Sequence, residues 1–289
     1  MNILVLGGTR YFGIHLVNDL LAMGHNVTIA TRGQTPDTFG DQVTRIHVDR
    51  NDLKAMKQAF QGSTYDIVYD NIAYCSNDVK NILNFVHCNR YILTSTVSVY
   101  KENDMNMREC YFDSDKYRLL MGNRDDFDYG EGKRQAESVL TQVYAFQKAA
   151  IVRFPFVFGE DDYTKRLYYY VEHIVQGKPM YIDNLDAEFP LISSKDAGGF
   201  LAFLSNKRLN EVIQTASPET LTLQEVIGYV ETKTGKKAIL TECDDKAPLN
   251  GFTSFSINCD KAKKKGYKCQ SLKQWLYPLL DTYIEEAKK

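Results

Sequence analysis

The first thirteen residues, MNILVLGGTRYFG, leave this chain little choice of opening structure. Ile3 to Leu6 is a short apolar run that ends on two glycines, the mark of a buried parallel strand. From Gly13 to Met23 the apolar residues Ile14, Leu16, Val17, Leu20 and Leu21 fall at helical spacing, and Gly24 stops the helix. A strand, a glycine-rich turn and an amphipathic helix, in that order, let a backbone come close to a phosphate. The first helix turn then offers free N–H groups and a positive dipole end. Gly7, Gly8, Thr9, Arg10, Tyr11, Phe12 and Gly13 are therefore the candidate contacts for a dinucleotide.

Strand-like and helix-like segments go on alternating to about residue 160. Strands are expected over 26–30, 43–48, 66–69, 91–95 and 150–153, with helices over 53–60, 78–86 and 132–148. Alternation at this spacing requires crossover connections, a parallel sheet and helices on both faces. The stretch 100–128 is polar and irregular. Beyond Gly159 the reading is mixed: a helix over 167–175, a strand over 211–215, a helix opened by the capping box Thr222/Glu225, and a terminal helix over 272–284. The expected fold is α/β: a Rossmann-type doubly wound parallel sheet with a smaller C-terminal substrate-binding cap. Residues 1–160 form the dinucleotide-binding domain and 161–289 the smaller region, some of whose elements can return to the sheet.

The formal net charge of −2 argues against nucleic acid as the main partner, because backbone phosphates call for a basic surplus. Cysteines stand at 75, 88, 110, 243, 259 and 269 with no CxxC pair and no Cys/His cluster at zinc spacing, so six reduced thiols and no metal are expected. No apolar run reaches membrane-spanning length, and the N-terminus has no basic segment followed by an apolar one. A cytoplasmic protein, monomeric or homodimeric, with a small-molecule substrate is expected.

The stretch MNILVLGGTRYFGIHLVNDLLAMGHNVTIATRG resembles the start of extended and atypical short-chain dehydrogenases, the sugar-nucleotide epimerase/dehydratase group. The departure is Arg10, which stands at the middle glycine of the family's GxxGxxG. In NAD-specific members an Asp or Glu ends the second strand and accepts hydrogen bonds from the ribose 2′-OH. The resemblance puts Thr31 there, followed by Arg32. A carboxylate would repel a 2′-phosphate, whereas Thr31 and Arg32 would accept one and Arg10 could approach it, so NADP is favoured over NAD. The resemblance makes Asp49 and Arg50 candidates for the adenine, though an Asp at a strand end is as often a turn cap. Asn71, Ile72 and Ala73 correspond to the segment lining the adenine and ribose path.

Short-chain dehydrogenases use a Tyr and a Lys four residues apart on one helical face. The Lys cation favours the phenolate, which takes a proton from a substrate hydroxyl; in reverse, the phenol donates it. Tyr129 and Lys133 fit, and so do Tyr144 and Lys148, so the bare spacing decides nothing in a chain with nineteen Tyr. Context favours the first pair, because YGEGKRQAE resembles the family's YGxSKxxxE. The stretch TSTVSVY (94–100) resembles SSxxVYG, which makes Thr96 the third catalytic group, with Thr94 and Ser95 on the cofactor side and Ser98 toward the substrate. RFPFVFG (153–159) resembles RPxxVYG, the turn near the nicotinamide, and marks Pro155 and Phe156. Asp162 and Arg166, in GEDDYTKR, match a GxxDxTxR version seen in atypical members and face the expected substrate side. Asp196 reads as an N-cap. The long gap from Thr96 to Tyr129 suggests an inserted loop over the site.

The resemblance implies an NAD(P)-dependent oxidoreductase or epimerase/dehydratase acting by hydride transfer on a hydroxyl or carbonyl, with Tyr129 as acid/base. The alternative is a non-catalytic relative that senses nucleotides or binds RNA, since the GGTR loop also occurs in relatives that bind RNA.

Overall fold

The computed structural model describes residues 1–242 and 247–289; Cys243 lies outside the described residues. The chain divides into two compact units. The first comprises Met1–Lys101, Glu109–Phe154 and Ala197–Gln214; the second comprises Glu102–Arg108, Pro155–Asp196 and Thr215–Lys289.

The first unit is built on seven strands: β1 (Asn2–Leu6), β2 (Asn26–Thr31), β3 (Val43–His47), β4 (Ser63–Asp70), β5 (Val86–Thr96), β6 (Ala149–Phe154) and, far along the chain, β10 (Val212–Gln214). Their order is β10-β6-β5-β4-β1-β2-β3, and every neighbouring pair is parallel. The chain reverses direction across the sheet between β1 and β4, the place where such sheets open a crevice at their carboxyl ends.

Alternation along each strand sends side chains to two cores. Leu4, Leu6, Val68, Leu93 and Ile151 point to one face, where they meet Met56 and Phe60 of α2 (Leu53–Phe60), Val79 and Ile82 of α3 (Ser76–Phe85), and Ala136, Val139 and Leu140 of α4 (Tyr129–Gln142). Leu16, Val17 and Leu20 of α1 (Phe12–Ala22) are also buried. α6 (Ser194–Leu204) closes on α1, and the Tyr69 hydroxyl donates to the Leu201 carbonyl at 3.0 Å. The α1–α6 crossing is tight at Gly198. A Cβ there would sit 2.5 Å from the His15 Cβ and 2.7 Å from the Leu16 nitrogen.

The helix expected to run to residue 148 ends at Gln142, because Tyr144 turns inward and its hydroxyl donates to Asn84 Oδ1 at 2.7 Å. Lys148 is therefore not on one helix with Tyr144, and the competing Tyr/Lys pair dissolves. The polar stretch after residue 108 is ordered as a strap along α4. Gln135 donates to the Arg118 carbonyl and accepts from the Leu120 nitrogen, while Gln142 donates to the Ser114 and Tyr117 carbonyls.

The second unit holds a three-stranded sheet in the order β11-β9-β7, from β7 (Phe156–Phe158), β9 (Glu188–Ser193) and β11 (Thr220–Thr222). A two-stranded pair joins β8 (Pro179–Met180) to β12 (Ile239–Leu240). Around them lie α5 (Arg166–Gln176), α7 (Leu223–Thr234), α8 (Asp260–Lys264) and α9 (Leu272–Ala287). α7 opens on the expected capping box, with the Thr222 hydroxyl accepting from the Glu225 nitrogen and the Glu225 carboxylate from Thr222. α6 begins two residues before Asp196, so Ser193 caps it by accepting from the Asp196 nitrogen at 2.9 Å. Among the described residues, no helix is long and apolar enough to cross a membrane, and no group of three or more His, Cys, Asp and Glu could hold a metal. Cys75, Cys88, Cys110, Cys259 and Cys269 are unbridged.

Gly198 and Gly228, both within helices, give a paired expectation. Gly198→Ala should destabilise by about 1–3 kcal/mol through overpacking against α1. Gly228→Ala in α7 meets nothing within 4 Å and should stabilise by up to about 1 kcal/mol from helix propensity. Urea unfolding midpoints of the two variants check this; equal effects of one sign would contradict it.

Candidate active site

The phosphate-loop candidates sit between β1 and α1, where a side chain would fill the space a ligand needs. Gly7 has φ +82°, a conformation costly for any residue with a Cβ, and a Cβ there would lie 2.5 Å from the Ile72 side chain. At Gly13 a Cβ would press on the Gly7 carbonyl at 2.5 Å, and the Gly8 Cα lies only 3.2 Å away. Tyr11, a non-glycine residue at φ 55° and ψ −143°, stands at the helix N-cap without a side-chain capping bond. Holding it there costs on the order of 1–3 kcal/mol, so the surroundings must fix it. Its neighbour Phe12 packs on Phe154, with ring centroids 5.9 Å apart. α1 also has no acidic residue in its first turn. The Gly13 and Ile14 nitrogens donate to the Arg10 and Tyr11 carbonyls, and no carboxylate of the first turn stands at the positive end, which suits an anion. These residues fit a dinucleotide.

At the end of β2 the Thr31 hydroxyl accepts from the Gly33 nitrogen at 3.2 Å, and Arg32 is exposed. Arg10 donates to the Thr35 hydroxyl at 2.7 Å, which ties the phosphate loop to the turn after β2. The nearby Asp37 is taken by Arg45 through bonds of 2.6 and 3.0 Å, and this bonding holds its carboxyl below the usual range.

Of the adenine candidates, Asp49 accepts from the Asn51 nitrogen at 2.9 Å in a turn. Arg50 is turned inward. Its guanidinium forks onto Asp70 at 2.9 and 3.0 Å and pairs with Asp78 at 3.0 Å. Asp70 also accepts from the buried Tyr91 hydroxyl at 2.7 Å and the Ile72 nitrogen at 3.1 Å. The bend after β4 is therefore fixed by a buried ion cluster. Asn71 carries that bend to its neighbours, donating to the Gly7 carbonyl at 3.3 Å and accepting from the Thr94 hydroxyl at 2.8 Å.

The end of β5 and the start of α4 bring the catalytic candidates together. Thr96 is buried, and its hydroxyl donates to Ser98 Oγ and accepts from the Ser98 nitrogen, both at 3.2 Å. At Gly130 a Cβ would meet the Ser98 carbonyl at 2.8 Å, so the first turn of α4 lies directly on this segment. Tyr129 is 54 % exposed, with its ring 6.2 Å from that of Tyr74. Lys133 is buried and donates to the Ala73 carbonyl at 2.7 Å and the Thr94 carbonyl at 2.8 Å. Burial outweighs the nearby Asp70, Asp78 and Glu137 carboxylates and brings its ammonium down to about 8.

Ser95 faces away from Thr96, as strand alternation requires. Its hydroxyl donates to Glu137, whose carboxylate also accepts from Arg153 at 3.0 and 2.7 Å. Both partners of this ion pair are fully buried. Arg153 further bonds the Glu109 and Phe112 carbonyls and the Tyr100 hydroxyl. Burial pulls its guanidinium down, but Glu137 more than offsets this, and it stays above its ordinary range.

The remaining candidates lie in the second unit. Pro155 stands between β6 and β7. Phe156 belongs to an aromatic cluster with Phe158, Phe189, Phe252 and Phe255. Asp162 is buried and accepts from the Thr164 nitrogen and hydroxyl, and burial pushes its carboxyl up. Arg166 donates to the Thr164 hydroxyl at 3.1 Å and lies over the Phe156 and Phe158 rings.

Several side chains at the site were not candidates from the sequence: Asp70, Tyr74, Arg124, Glu137 and Arg153. Glu137 and Arg153 carried a signal, since both stand in the YGEGKRQAE and RFPFVFG motifs and Glu137 continues the four-residue spacing of Tyr129 and Lys133. Arg124 carried none.

Residues 3–215 match the NAD dependent epimerase/dehydratase family, and the chain belongs to it. Over 75 % of its length the chain is 25 % identical to the chloroplast stem-loop binding protein of 41 kDa b of Arabidopsis thaliana, of which it spans 58 %. It superposes on the UDP-glucose 4-epimerase of Thermus thermophilus in complex with NAD, with TM-score 0.75 and 18 % identity over 98 % of this chain and 99 % of that one. The UDP-glucuronic acid 4-epimerase of Bacillus cereus, in complex with UDP-glucuronic acid and NAD, gives TM-score 0.75 and 20 % identity over 99 % of each chain.

The buried ammonium of Lys133 predicts a pH signature of stability. Between about pH 8 and its ordinary value near 10.5, the unfolded chain keeps a proton that the native chain has released. Native stability relative to Lys133→Met should therefore rise with pH across that window, by about 2 kcal/mol. Urea titrations of both proteins at pH 7.5 and 10 measure it; a difference that does not change with pH would contradict the assignment.

Proposed function

We propose that the protein is an NAD(P)-dependent oxidoreductase or epimerase/dehydratase that acts on a hydroxyl or carbonyl of a small molecule, with a sugar nucleotide as the substrate class its relatives suggest. The observation that carries this reading is the joint placement of Lys133 and the β5 end: one buried ammonium, one turn along α4 from Tyr129, bonded to the Ala73 carbonyl and to the carbonyl of Thr94, two residues before Thr96.

Gly7, Gly8, Gly13 and the uncapped start of α1 would hold the pyrophosphate, and Asn71, Ile72 and Ala73 would line the path of the adenosine half. When bound, the nicotinamide accepts or returns a hydride. The Thr96 hydroxyl orients the substrate oxygen. The Tyr129 phenolate then takes the proton from that oxygen, and in the reverse direction the phenol donates it as a carbonyl is reduced. The Lys133 cation stabilises the phenolate left on Tyr129, and its carbonyl bonds keep the ammonium in place for that task. Pro155 and Phe156 would border the nicotinamide, and Asp162 and Arg166 the substrate.

For the cofactor we favour NADP over NAD. Thr31 and Arg32 stand where a carboxylate would repel a 2′-phosphate, Arg10 is tied to the same turn, and Asp37 is committed to Arg45. The likeness to the stem-loop binding protein supports a second reading, recognition of a structured nucleic acid. The net charge of −2 weighs against it.

The test is Tyr129→Phe in a screen of carbonyl and sugar-nucleotide substrates with NADPH and NADH. Turnover should fall by about 10²- to 10⁴-fold, while affinity for the dinucleotide stays within about two-fold. Undiminished turnover would remove Tyr129 from the acid/base role.

A further inference from the structure

The strap that follows residue 108 ends on a cation. From Leu120 to Asn123 it is fastened to the start of α3: the Ser76 hydroxyl donates to the Leu120 carbonyl at 2.9 Å and accepts from the Gly122 nitrogen at 3.0 Å. Asn77 donates through its side chain to Asn123 Oδ1 at 2.9 Å and through its backbone to the Gly122 carbonyl at 3.2 Å. A capping box between Asn123 and Asp126 then fixes the single turn that carries Arg124. Asp126 is committed to the Asn123 nitrogen and Asp128 to the Glu131 nitrogen, so two of the nearby carboxylates already serve as caps.

Arg124 is exposed, and its guanidinium lies 4.3 Å from the centre of the Tyr74 ring. The same ring is 4.7 Å from the Lys133 ammonium and 6.2 Å from the Tyr129 ring. Tyr74 is held firmly in turn. Its nitrogen donates to Asp78 Oδ2 at 2.7 Å, and its carbonyl occupies the space that a side chain on Gly132 would need. Two cations thus share one aromatic ring beside Tyr129, and among the described residues no carboxylate pairs with Arg124. A ring contact of this kind is worth about 0.5–1 kcal/mol at an exposed site, less than a forked bond to an oxyanion. An anion arriving there would also relieve the repulsion between the two cations.

We propose that Arg124 is a specificity-determining residue that leaves the Tyr74 ring to grip an oxyanion of the substrate, a carboxylate or a phosphate placed near the carbon whose oxygen Tyr129 serves. This rests on the reading of Tyr129 as the acid/base. It narrows the substrate class to anionic molecules and gives the inserted strap a task, the placement of one guanidinium at the edge of the site.

The test uses the full chain saturated with NADP⁺, so that the phosphate loop is filled, and follows the guanidinium Nε–H signals by ¹⁵N–¹H spectroscopy. The Arg124 signal is assigned by its loss in Arg124→Gln. Potassium acetate and potassium phosphate are titrated separately, with potassium chloride as the ionic-strength control. A saturable shift of the Arg124 signal with one or both anions, half complete at about 1–20 mM, is expected; the tighter anion states whether the grip is for a carboxylate or a phosphate. A shift no larger than that from chloride would overturn the proposal. The same titration on Tyr129→Phe should give the same response. If it does while turnover is indifferent to that substitution, the acid/base reading fails and the anion grip stands; if the anion response is missing while turnover collapses, the reverse holds.

Discussion

The buried ion pair between Glu137 and Arg153 is the contact on which the geometry of the site depends. Both side chains are out of reach of solvent, and Glu137 stands two turns along α4 from Tyr129, with Lys133 between them. Its carboxylate reaches β6 through Arg153 and β5 through the Ser95 hydroxyl. Lys133 adds its bond to the Thr94 carbonyl one residue earlier on β5. Helix and strand are thus pinned at two successive residues, which sets how far along β5 the helix can sit. A slip of one residue would turn Thr96 to the opposite face. Removing one partner alone would strand a buried charge at a cost of about 3–5 kcal/mol, so the arrangement tolerates little drift.

A second buried ion cluster has the same role near the glycine turn after β1. Arg50, Asp70 and Asp78 join the turn after β3, the end of β4 and the first turn of α3. From there Asn71 reaches both the Gly7 carbonyl and the Thr94 hydroxyl. The phosphate loop and the β5 end are therefore tied through one side-chain amide. The strained backbone at Tyr11 stands at a helix start with no side-chain cap, where the Gly13 and Ile14 nitrogens donate to the Arg10 and Tyr11 carbonyls.

Much of this was legible in the chain itself. The apolar runs at Ile3–Leu6, Asn26–Ala30 and Tyr91–Ser95 fall in β1, β2 and β5 because buried parallel strands must be apolar on both faces. Gly7 and Gly13, read as places where the backbone comes close to a phosphate, stand where a Cβ would meet the Ile72 side chain and the Gly7 carbonyl, each at 2.5 Å. What stayed hidden depends on distant partners. Arg50 reads as a candidate contact for the adenine until the sheet brings Asp70 and Asp78 beside it. Ser95 reads as a cofactor-side hydroxyl, whereas strand alternation against α4 turns it toward Glu137. The strap from residue 109 to 128 has no apolar period of its own, since it is held by hydrogen bonds from Gln135, Gln142, Ser76 and Asn77. The stop at Gln142 was missed because Tyr144 and Phe146 continue a helical apolar pattern while the fold needs Tyr144 to turn inward.

One dinucleotide per chain is expected to seat its pyrophosphate against the start of α1. Calorimetric titration of the purified chain with NADP⁺ and NAD⁺, with inorganic pyrophosphate as competitor, measures this directly. One equivalent bound per chain is expected, tighter for NADP⁺ and displaced by pyrophosphate. A folded chain that takes up neither nucleotide would contradict it.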